Sequence, residues 1–230
     1  MDHRFVFVCG LHRSGTSVLA RALRAHPNVS GFEDTGAVED EGQFLQSVYP
    51  PAHRYGGAGV FGLNPASYLD EGSPLATPGN AAKLHDEWAR YWDLERPVLL
   101  EKSPPNLVHT RFLQRMFPNS CFVVLLRHPV SVTLATKKRG GIPLYCLFEH
   151  WVVCHERFAA DRSHLERVHV VWYEDLVSRP QEALDEVCGF VGLGRTPLAE
   201  PIQSHNDRYL VRWEEMRQGG LGKAYSNRIV

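Results

Sequence analysis

The segment from Phe5 to Ser17 limits the possible folds of this 230-residue chain more than any other. An apolar run, Phe-Val-Phe-Val-Cys, leads into Gly-Leu-His-Arg-Ser-Gly-Thr-Ser, and helical sequence follows. Glycines at positions 10 and 15 let successive backbone N–H groups point at an anion in front of a helix N-terminus, where the helix dipole is positive. The segment therefore predicts a strand, a phosphate-binding loop of the P-loop type, and a helix.

The positive side chain of this loop is not where a nucleoside triphosphatase has it. Those proteins carry a lysine directly after the second glycine, where it reaches the β- and γ-phosphates. Here that position is Thr16, and the cation is Arg13. The pattern disfavours triphosphate hydrolysis, and a P-loop nucleotide kinase or hydrolase stays open only as an alternative.

Composition and charge narrow the class of protein. With 43% hydrophobic and 22% charged residues, we expect residues 1–230 to form one globular domain. The formal net charge of −1 gives no general attraction to nucleic acid or to an anionic membrane, so we expect no nucleic-acid partner and no membrane insertion. Five cysteines without a CxxC pair, and no recognisable signal peptide, favour a cytoplasmic protein.

Alternating strands and helices predict an α/β fold. Further buried strands are expected at residues 97–100, 121–126 and 168–172, since each run is short, apolar and followed by helical sequence. We therefore predict a parallel sheet flanked by helices on both faces. The predicted helices are residues 17–25, 81–92, 105–117 and 142–160, and one that opens with a capping box at Ser178 and stops at Gly192 or Gly194.

Two regions depart from this alternation. Residues 50–79 contain six glycines and five prolines, which suits an irregular lid that faces an acceptor. Residues 195–230 are polar and include Gly-Gly-Leu-Gly-Lys at 219–223, a tail that either folds over a ligand or stays loose.

Three predicted strands are followed by basic residues. Arg13, Lys102 and Arg127 come after the first, second and third apolar runs. Ligands of parallel α/β sheets collect beyond the carboxyl ends of the strands, so these cations are expected to face one site. A magnesium-dependent nucleotide enzyme usually places an aspartate there. The sequence therefore predicts a highly anionic ligand that is bound without a metal ion.

Four segments in matching order resemble the sulfotransferases that use 3′-phosphoadenosine 5′-phosphosulfate (PAPS). Residues 10–17 are similar to the 5′-phosphosulfate loop, and Glu-Lys-Ser-Pro at 101–104 to a segment of the glycan sulfotransferases. Leu-Arg-His-Pro at 126–129 resembles the start of the 3′-phosphate motif, and Tyr-Glu-Asp-Leu at 173–176 a later strand-helix unit. The resemblance implies a sulfonate donor, PAPS, a product, 3′-phosphoadenosine 5′-phosphate (PAP), and a hydroxyl acceptor on a small molecule, glycan or lipid.

The resemblance also implies roles for individual residues. Arg13 and Lys102 would neutralise charge on the bridging and leaving oxygens, and the loop N–H groups would hold the 5′-phosphate and sulfonate. The proposed donor-binding residues are Leu11, His12, Arg13, Ser14, Gly15, Thr16, Ser17, Arg127, Thr136 and Tyr173.

One position departs from the family pattern. The family commonly has a serine eight residues after the arginine of the 3′-phosphate motif, and this chain has Ala135 there. Thr136 or Thr133 would replace the hydroxyl, and Lys137 or Lys138 would add charge. Because of Ala135, a non-catalytic nucleotide-binding module is a further alternative.

An alcohol acceptor needs a general base within hydrogen-bond reach of its hydroxyl. Glu41, in Glu-Gly-Gln-Phe-Leu, resembles the catalytic glutamate of the glycan sulfotransferases and is the first candidate. Counting from Arg13 as in the protein-tyrosine sulfotransferases gives Asp34, the second candidate.

A helical pattern of possible metal ligands occurs at Cys146, His150 and Cys154, which are spaced i, i+4 and i+8. Large apolar residues share that helix, so we predict burial against the sheet rather than a zinc site.

Overall fold

A five-stranded parallel sheet is the centre of the structure, a computed structural model that describes residues 3–138, 140–204 and 206–218. The strands are β1 (Arg4–Cys9), β2 (Val29–Gly31), β3 (Val98–Lys102), β4 (Ser120–Leu126) and β5 (Val168–Trp172). Their order is β2-β3-β1-β4-β5, and every pair is parallel. Because β1 lies between β3 and β4, the segments that follow these three strands meet at one edge of the sheet.

Helices cover both faces of the sheet, as the sequence predicts. They are α1 (Thr16–Arg24), α2 (Pro78–Ala89), α3 (Thr110–Met116), α4 (Pro129–Lys137), α5 (Leu144–Asp161), α6 (Tyr173–Ser178), α7 (Pro180–Val191) and α8 (Asp207–Gln218). Alternate residues of β1 divide the core: Phe7 packs with the cluster formed by α2, α3 and α5, and Val6 with the cluster formed by α1 and α7. The predicted fold class is confirmed.

Two helix predictions need correction. The helix predicted for 105–117 is divided, because Pro104–Val108 forms a 3₁₀ turn and α3 begins only at Thr110. The break lies at His109, whose φ of −123° and ψ of 11° are not helical. Ser178 does not cap α7; it is the last residue of α6, and Arg179 precedes α7 without a side-chain cap. The helix stops at Gly192, whose φ of 79° is left-handed.

The region 50–79, predicted as an irregular lid, is irregular and is packed against the core. It contains three 3₁₀ turns, Ala52–Tyr55, Phe61–Leu63 and Pro65–Ser67, and α2 begins at Pro78. Phe61 is fully buried in the core. The turns of region 50–79 are therefore part of the packed structure beside the sheet. The proposed acceptor-facing role of this region stays a prediction.

The C-terminal region contains a helix that the sequence reading missed. Helix α8 packs Tyr209 against α4, beside Ala135 and Phe148. The glycine-rich run at 219–223 lies outside the described residues. Within the described ranges, the helices are all too short or too polar to cross a bilayer.

Candidate active site

Residues 10–17, here called the anion loop, have the backbone of an anion-binding turn. Gly10, Arg13 and Gly15 have φ angles of 145°, 72° and 104°. A Cβ at Gly10 would lie 2.6 Å from the Leu125 carbonyl oxygen, so this position tolerates only glycine. Both the amide and the hydroxyl of Ser14 donate to the Leu11 carbonyl, at 3.0 and 2.7 Å. The loop is therefore held in shape by its own contacts before any ligand arrives.

The predicted loop residues differ in exposure. Leu11, Ser14 and Thr16 are buried, whereas the Arg13 side chain is exposed. Ser17 is half-buried and donates to Glu39. The loop thus presents backbone N–H groups and one exposed cation, while the buried side chains of Leu11, Ser14 and Thr16 anchor it to the core.

Lys102 and Glu41 form a buried ion pair beside the loop. Lys102 Nζ lies 3.3 Å from Glu41 Oε1 and donates to the Glu39 carbonyl at 2.9 Å. Lys102 is 5% exposed and Glu41 4%. Burial raises the pKa of the Glu41 carboxyl, and the Lys102 charge opposes that rise. The structure thus brings together a base candidate and a cation that the sequence assigned separately.

Glu101 is a functional candidate that the sequence analysis did not assign. Its Oε1 accepts from the Gly42 amide at 3.0 Å and from Ser103 Oγ at 2.6 Å, and its Oε2 accepts from the Asn106 amide. Complete burial raises the pKa of Glu101 to about 7. Glu101 therefore fixes the turn that carries Glu41, and the three residues Glu41, Glu101 and Lys102 are here called the acid cluster. A glutamate inside the apolar run Val-Leu-Leu-Glu-Lys was the available signal.

Asp34, the second base candidate, is in a different environment. It is exposed, on a turn with a φ of 52°, and it does not line the cavity that Glu41 faces. The structure therefore groups Glu41, rather than Asp34, with Lys102.

A cavity of about 310 Å³ lies between the anion loop and the acid cluster. His12, Arg13 and Glu41 contribute polar groups to its lining. Its apolar wall is formed by Val38, Phe44, Ala58, Pro104 and Ile142. A volume of this size is at the lower end of the range for small-molecule pockets.

Arg127 is held by several protein groups at the other side of the loop. Its Nη1 donates to the Arg13 carbonyl at 2.7 Å, and its Nε donates to Asn206 Oδ1 at 2.8 Å. The guanidinium lies 4.0 Å from the centre of the Tyr173 ring. Its Nη2 is buried without a hydrogen-bond partner among the described residues. This Arg127 cluster, comprising Arg127, Tyr173 and Asn206, leaves one strong donor unused.

Ala135, at the position where the family commonly has a serine, is used for packing. Ala135 lies in an apolar cluster with Phe148 and Tyr209. Thr136 Oγ1 donates to the Val132 carbonyl at 2.8 Å, although Thr136 also lines the 310 Å³ cavity. A 3′-phosphate role for Thr136 stays a prediction.

The possible metal ligands on α5 are used for packing in this structure. Cys154 and His150 are buried, and Cys146 is half-buried. No group of three His, Cys, Asp or Glu side chains that could hold a metal ion occurs within residues 3–138, 140–204 and 206–218.

Comparison with known proteins assigns a family. A family model described as the Sulfotransferase family matches residues 6–197. Protein-tyrosine sulfotransferase 2 of Gallus gallus is 28% identical over 200 residues, covering 82% of this chain and 51% of that protein. Nodulation protein NoeE of Sinorhizobium fredii is 24% identical over 218 residues, covering 83% of this chain and 50% of that protein. The chain thus spans about half the length of these curated relatives.

Solved structures show the same fold. The sulfotransferase domain from the curacin biosynthetic pathway superposes with a TM-score of 0.55 at 23% identity, covering 88% of this chain and 79% of that domain. A sulfotransferase from Alicyclobacillus acidocaldarius gives 0.56 at 17% identity, covering 99% of this chain and 97% of that protein.

Proposed function

Because this chain belongs to the sulfotransferase family, we propose that it moves a sulfonate group from PAPS to a hydroxyl of a small-molecule, glycan or lipid acceptor. Its family relatives favour this activity over the P-loop kinase or hydrolase alternative. A kinase usually has an aspartate at the end of a strand, where it holds magnesium. This chain has Lys102 and Arg127 at such positions, which also favours sulfonate transfer.

The observation that carries the proposal is the contact between two anion-binding elements. Arg127 Nη1 donates to the carbonyl of Arg13, so the Arg127 cluster and the anion loop share one hydrogen bond. A donor with a 5′-phosphosulfate and a 3′-phosphate needs two such elements at fixed separation. The unused, buried Nη2 of Arg127 fits a phosphate oxygen, since a buried guanidinium donor is rarely left unpaired.

Room for the nucleoside lies next to Tyr173. A cavity of about 520 Å³ is lined by Tyr173, Arg21 and residues 198–203. In the proposed complex the anion loop binds the 5′-phosphosulfate, Arg127 the 3′-phosphate, and this second cavity the adenosine. The acceptor would enter the 310 Å³ cavity, whose apolar wall favours an acceptor with an apolar surface near its hydroxyl.

The proposed chemistry is in-line sulfuryl transfer. The bond between sulfur and the bridging oxygen of the donor breaks, a bond between sulfur and the acceptor oxygen forms, and PAP leaves. Glu41 takes the acceptor proton, while Arg13 and Lys102 neutralise charge on the bridging and leaving oxygens. Positioning and electrostatics supply most of the rate enhancement in transfers of this kind.

Glu41 is the preferred base because it lines the acceptor cavity and contacts Lys102. If so, the rate should rise with pH through the raised pKa of Glu41. Glu41→Gln should abolish this rise and slow turnover by about 10²–10⁴-fold. Asp34→Asn is the matched control, and it should keep both the rate and the pH profile. The opposite pattern would transfer the role to Asp34.

Calorimetric titration tests the donor first. PAP should bind without Mg²⁺, and ATP binding that requires Mg²⁺ would favour the kinase alternative. Radiolabelled PAPS is then offered to alcohols, phenols, sugars, lipids and tyrosine peptides, the last because of the Gallus gallus relative's name. Nucleotide binding without transfer to any of these would favour the non-catalytic module.

The predicted cytoplasmic location rests on the five free cysteines and is tested by microscopy of the tagged protein.

A further inference from the structure

A second, very small cavity lies beside His12 of the anion loop. Its volume is about 10 Å³, which is about the space that one water molecule requires. The lining residues come from four parts of the chain: the loop, the 3₁₀-rich region 50–79, α4 and α5. They are Leu11, His12, Gly59, Val132, Thr133, Thr136, Leu147 and His150.

Three of these residues carry a buried polar atom that lacks a hydrogen-bond partner. The atoms are His12 Nδ1, Thr133 Oγ1 and His150 Nε2, and none has a partner within the described part of the chain. Buried polar atoms are nearly always hydrogen-bonded to protein or to ordered water. Three such atoms around one cavity of this size therefore point to a shared partner.

Phe61 shapes the space between the two histidines. Its ring centre lies 5.8 Å from that of His12 and 4.7 Å from that of His150, in edge-to-face arrangements with both. Phe61 is fully buried, so neither imidazole can easily turn away from the cavity.

We propose that this cavity binds one ordered water molecule, which accepts a hydrogen bond from Thr133 Oγ1 and donates to His12 Nδ1 and His150 Nε2. The water thereby holds His12 as the tautomer with its proton on Nε2. Three hydrogen bonds are the usual number for a buried water. Each neutral imidazole has one donor and one acceptor nitrogen, so this arrangement satisfies all three atoms and both water hydrogens.

The surroundings keep both imidazoles neutral. Burial, together with the charges of Lys102 and Arg13, lowers the pKa of His12 to about 4. Burial lowers the pKa of His150 to about 3, with smaller contributions from His12, His155 and Arg157. A neutral His12 is the state that can accept from water at one nitrogen and donate from the other.

The tautomer matters because His12 also lines the 310 Å³ cavity. With Nδ1 accepting from the water, the Nε2–H group is available to donate to an anionic oxygen there. On the proposed function, that oxygen belongs to the transferred sulfonate. Thr133 and His150 then act as positioning residues, since they reach the sulfonate only through the water and His12.

Two measurements test the water site without any assay of activity. A high-resolution crystal structure of the whole protein should show a water about 2.7–3.2 Å from all three atoms. Nitrogen-15 NMR of histidine-labelled protein should show His12 as the neutral Nε2–H tautomer down to about pH 4, with Lys102, Arg13 and His150 as its charged or titratable neighbours. The His12→Gln variant assigns the signal.

Variants on one helix separate this role from general packing. Thr133→Val should remove the water and shift the His12 signal toward a mixture of tautomers, and Thr133→Ser should restore both. Ser131→Ala is the matched control, because Ser131 Oγ is also buried on α4, has no partner among the residues that the structure describes, and does not line this cavity. Ser131→Ala should leave the His12 signal unchanged.

Kinetics supply the functional readout if the chain proves to be a sulfotransferase. Thr133→Val should lower kcat roughly 3- to 10-fold with KM for PAPS unchanged, which is less than the about 10²-fold typical for deleting a whole oxyanion donor. An empty cavity, a His12 proton on Nδ1, or equal spectra for Thr133→Val and wild type would each overturn the proposal. These outcomes stand whether or not sulfonate transfer is found.

Discussion

The anion loop and the Arg127 cluster would bind the two ends of the same donor, but they are built in opposite ways. The loop is eight consecutive residues whose backbone is fixed by left-handed φ angles and by the bonds between Ser14 and Leu11. The Arg127 cluster joins side chains from the end of β4, the start of α6 and the segment before α8. A site formed by one continuous segment, such as the anion loop, binds through backbone N–H groups, which every residue other than proline supplies when the backbone has the right conformation. A site assembled from separate parts of the chain, such as the Arg127 cluster, depends on the identity of each side chain that contributes to it.

The acid cluster belongs to the assembled kind. Glu101 and Lys102 end β3, while Glu41 stands on a separate turn whose amide at Gly42 is held by Glu101. Substitutions in the loop should therefore act either on the reaction or on local strain. Substitutions in the assembled clusters should act through lost partners.

The largest effect in the anion loop is expected for Arg13→Gly. Arg13 has a φ of 72° and an exposed side chain, so glycine removes the cation and relieves backbone strain at the same time. Turnover should fall about 10²–10³-fold, and the melting temperature should stay the same or rise. Steady-state kinetics and calorimetry measure the two. Lys83→Ala on α2 is the control for loss of an exposed cation, and wild-type turnover in Arg13→Gly would exclude Arg13 from the chemistry.

Gly15→Ala tests how strictly the loop backbone is fixed. The φ of 104° is unfavourable for alanine, and the new Cβ would lie 2.8 Å from the Tyr173 ring. We expect a loss of about 3 kcal/mol in the free energy of unfolding. Gly36→Ala is the matched control, because Gly36 has a φ of 79° and a Cβ there would have no neighbour within 4 Å in the described part of the chain. It should lose only about 1 kcal/mol. Equal losses in denaturant titrations would mean that the contact with Tyr173 is unimportant.

The difference between the two kinds of site explains what the sequence could predict. Loop, flanking strand and helix follow from local rules about glycine and apolar runs, and β1 and α1 were predicted correctly. Strand β2 was missed because Val29–Gly31 is too short to show periodicity. Helix α8 was missed because its polar composition gives no clear apolar stripe.

Assembled contacts were beyond the reach of sequence patterns. Nothing local links Asn206 to Arg127, which are 79 residues apart, or Glu101 to Gly42, 59 residues apart. Lys102 and Glu41 were each assigned a role, but their ion pair depends on how the turn after β2 returns to β3. Family likeness supplied these roles, and the tertiary structure supplied the partners.

Arg127→Lys tests the assembled side of the donor site. A lysine has all three of its N–H donors on one nitrogen, so it cannot reproduce the separate positions from which Nε and Nη1 of Arg127 reach Asn206 and the Arg13 carbonyl while Nη2 stays available. We expect PAP to bind about 30-fold more weakly, since a hydrogen bond to a charged group contributes about 1.5–3 kcal/mol. For adenosine 5′-phosphate, which lacks the 3′-phosphate, the Kd of the variant should be within about 3-fold of the Kd of the wild type. Calorimetric titration of both ligands decides, and an equal loss for the two would show that Arg127 supports the loop rather than a 3′-phosphate.

Glu101→Gln is expected to change the stability of the protein rather than the rate of the reaction. The pKa of Glu101 is raised to about 7 in the folded protein, from an ordinary value of 4.5. The folded state therefore holds this proton more tightly than the unfolded state does. The stability that the proton contributes is complete below about pH 4.5 and is lost as the pH rises through 7.

Glutamine cannot titrate, so the variant should gain on wild type between pH 5 and pH 8, by about 2–3 kcal/mol in the free energy of unfolding. Its carbonyl can still accept from Gly42 and Ser103, and its amide can donate to Asn106 Oδ1, which has no partner within the described residues. Denaturant titrations at several pH values measure the difference in the free energy of unfolding between the variant and the wild type. Histidine titrations contribute equally to both proteins and cancel in this difference. A gap that does not change with pH would mean that Glu101 is ionised throughout. The three donors around it would then outweigh its burial, and Lys102 would face two buried carboxylates instead of one.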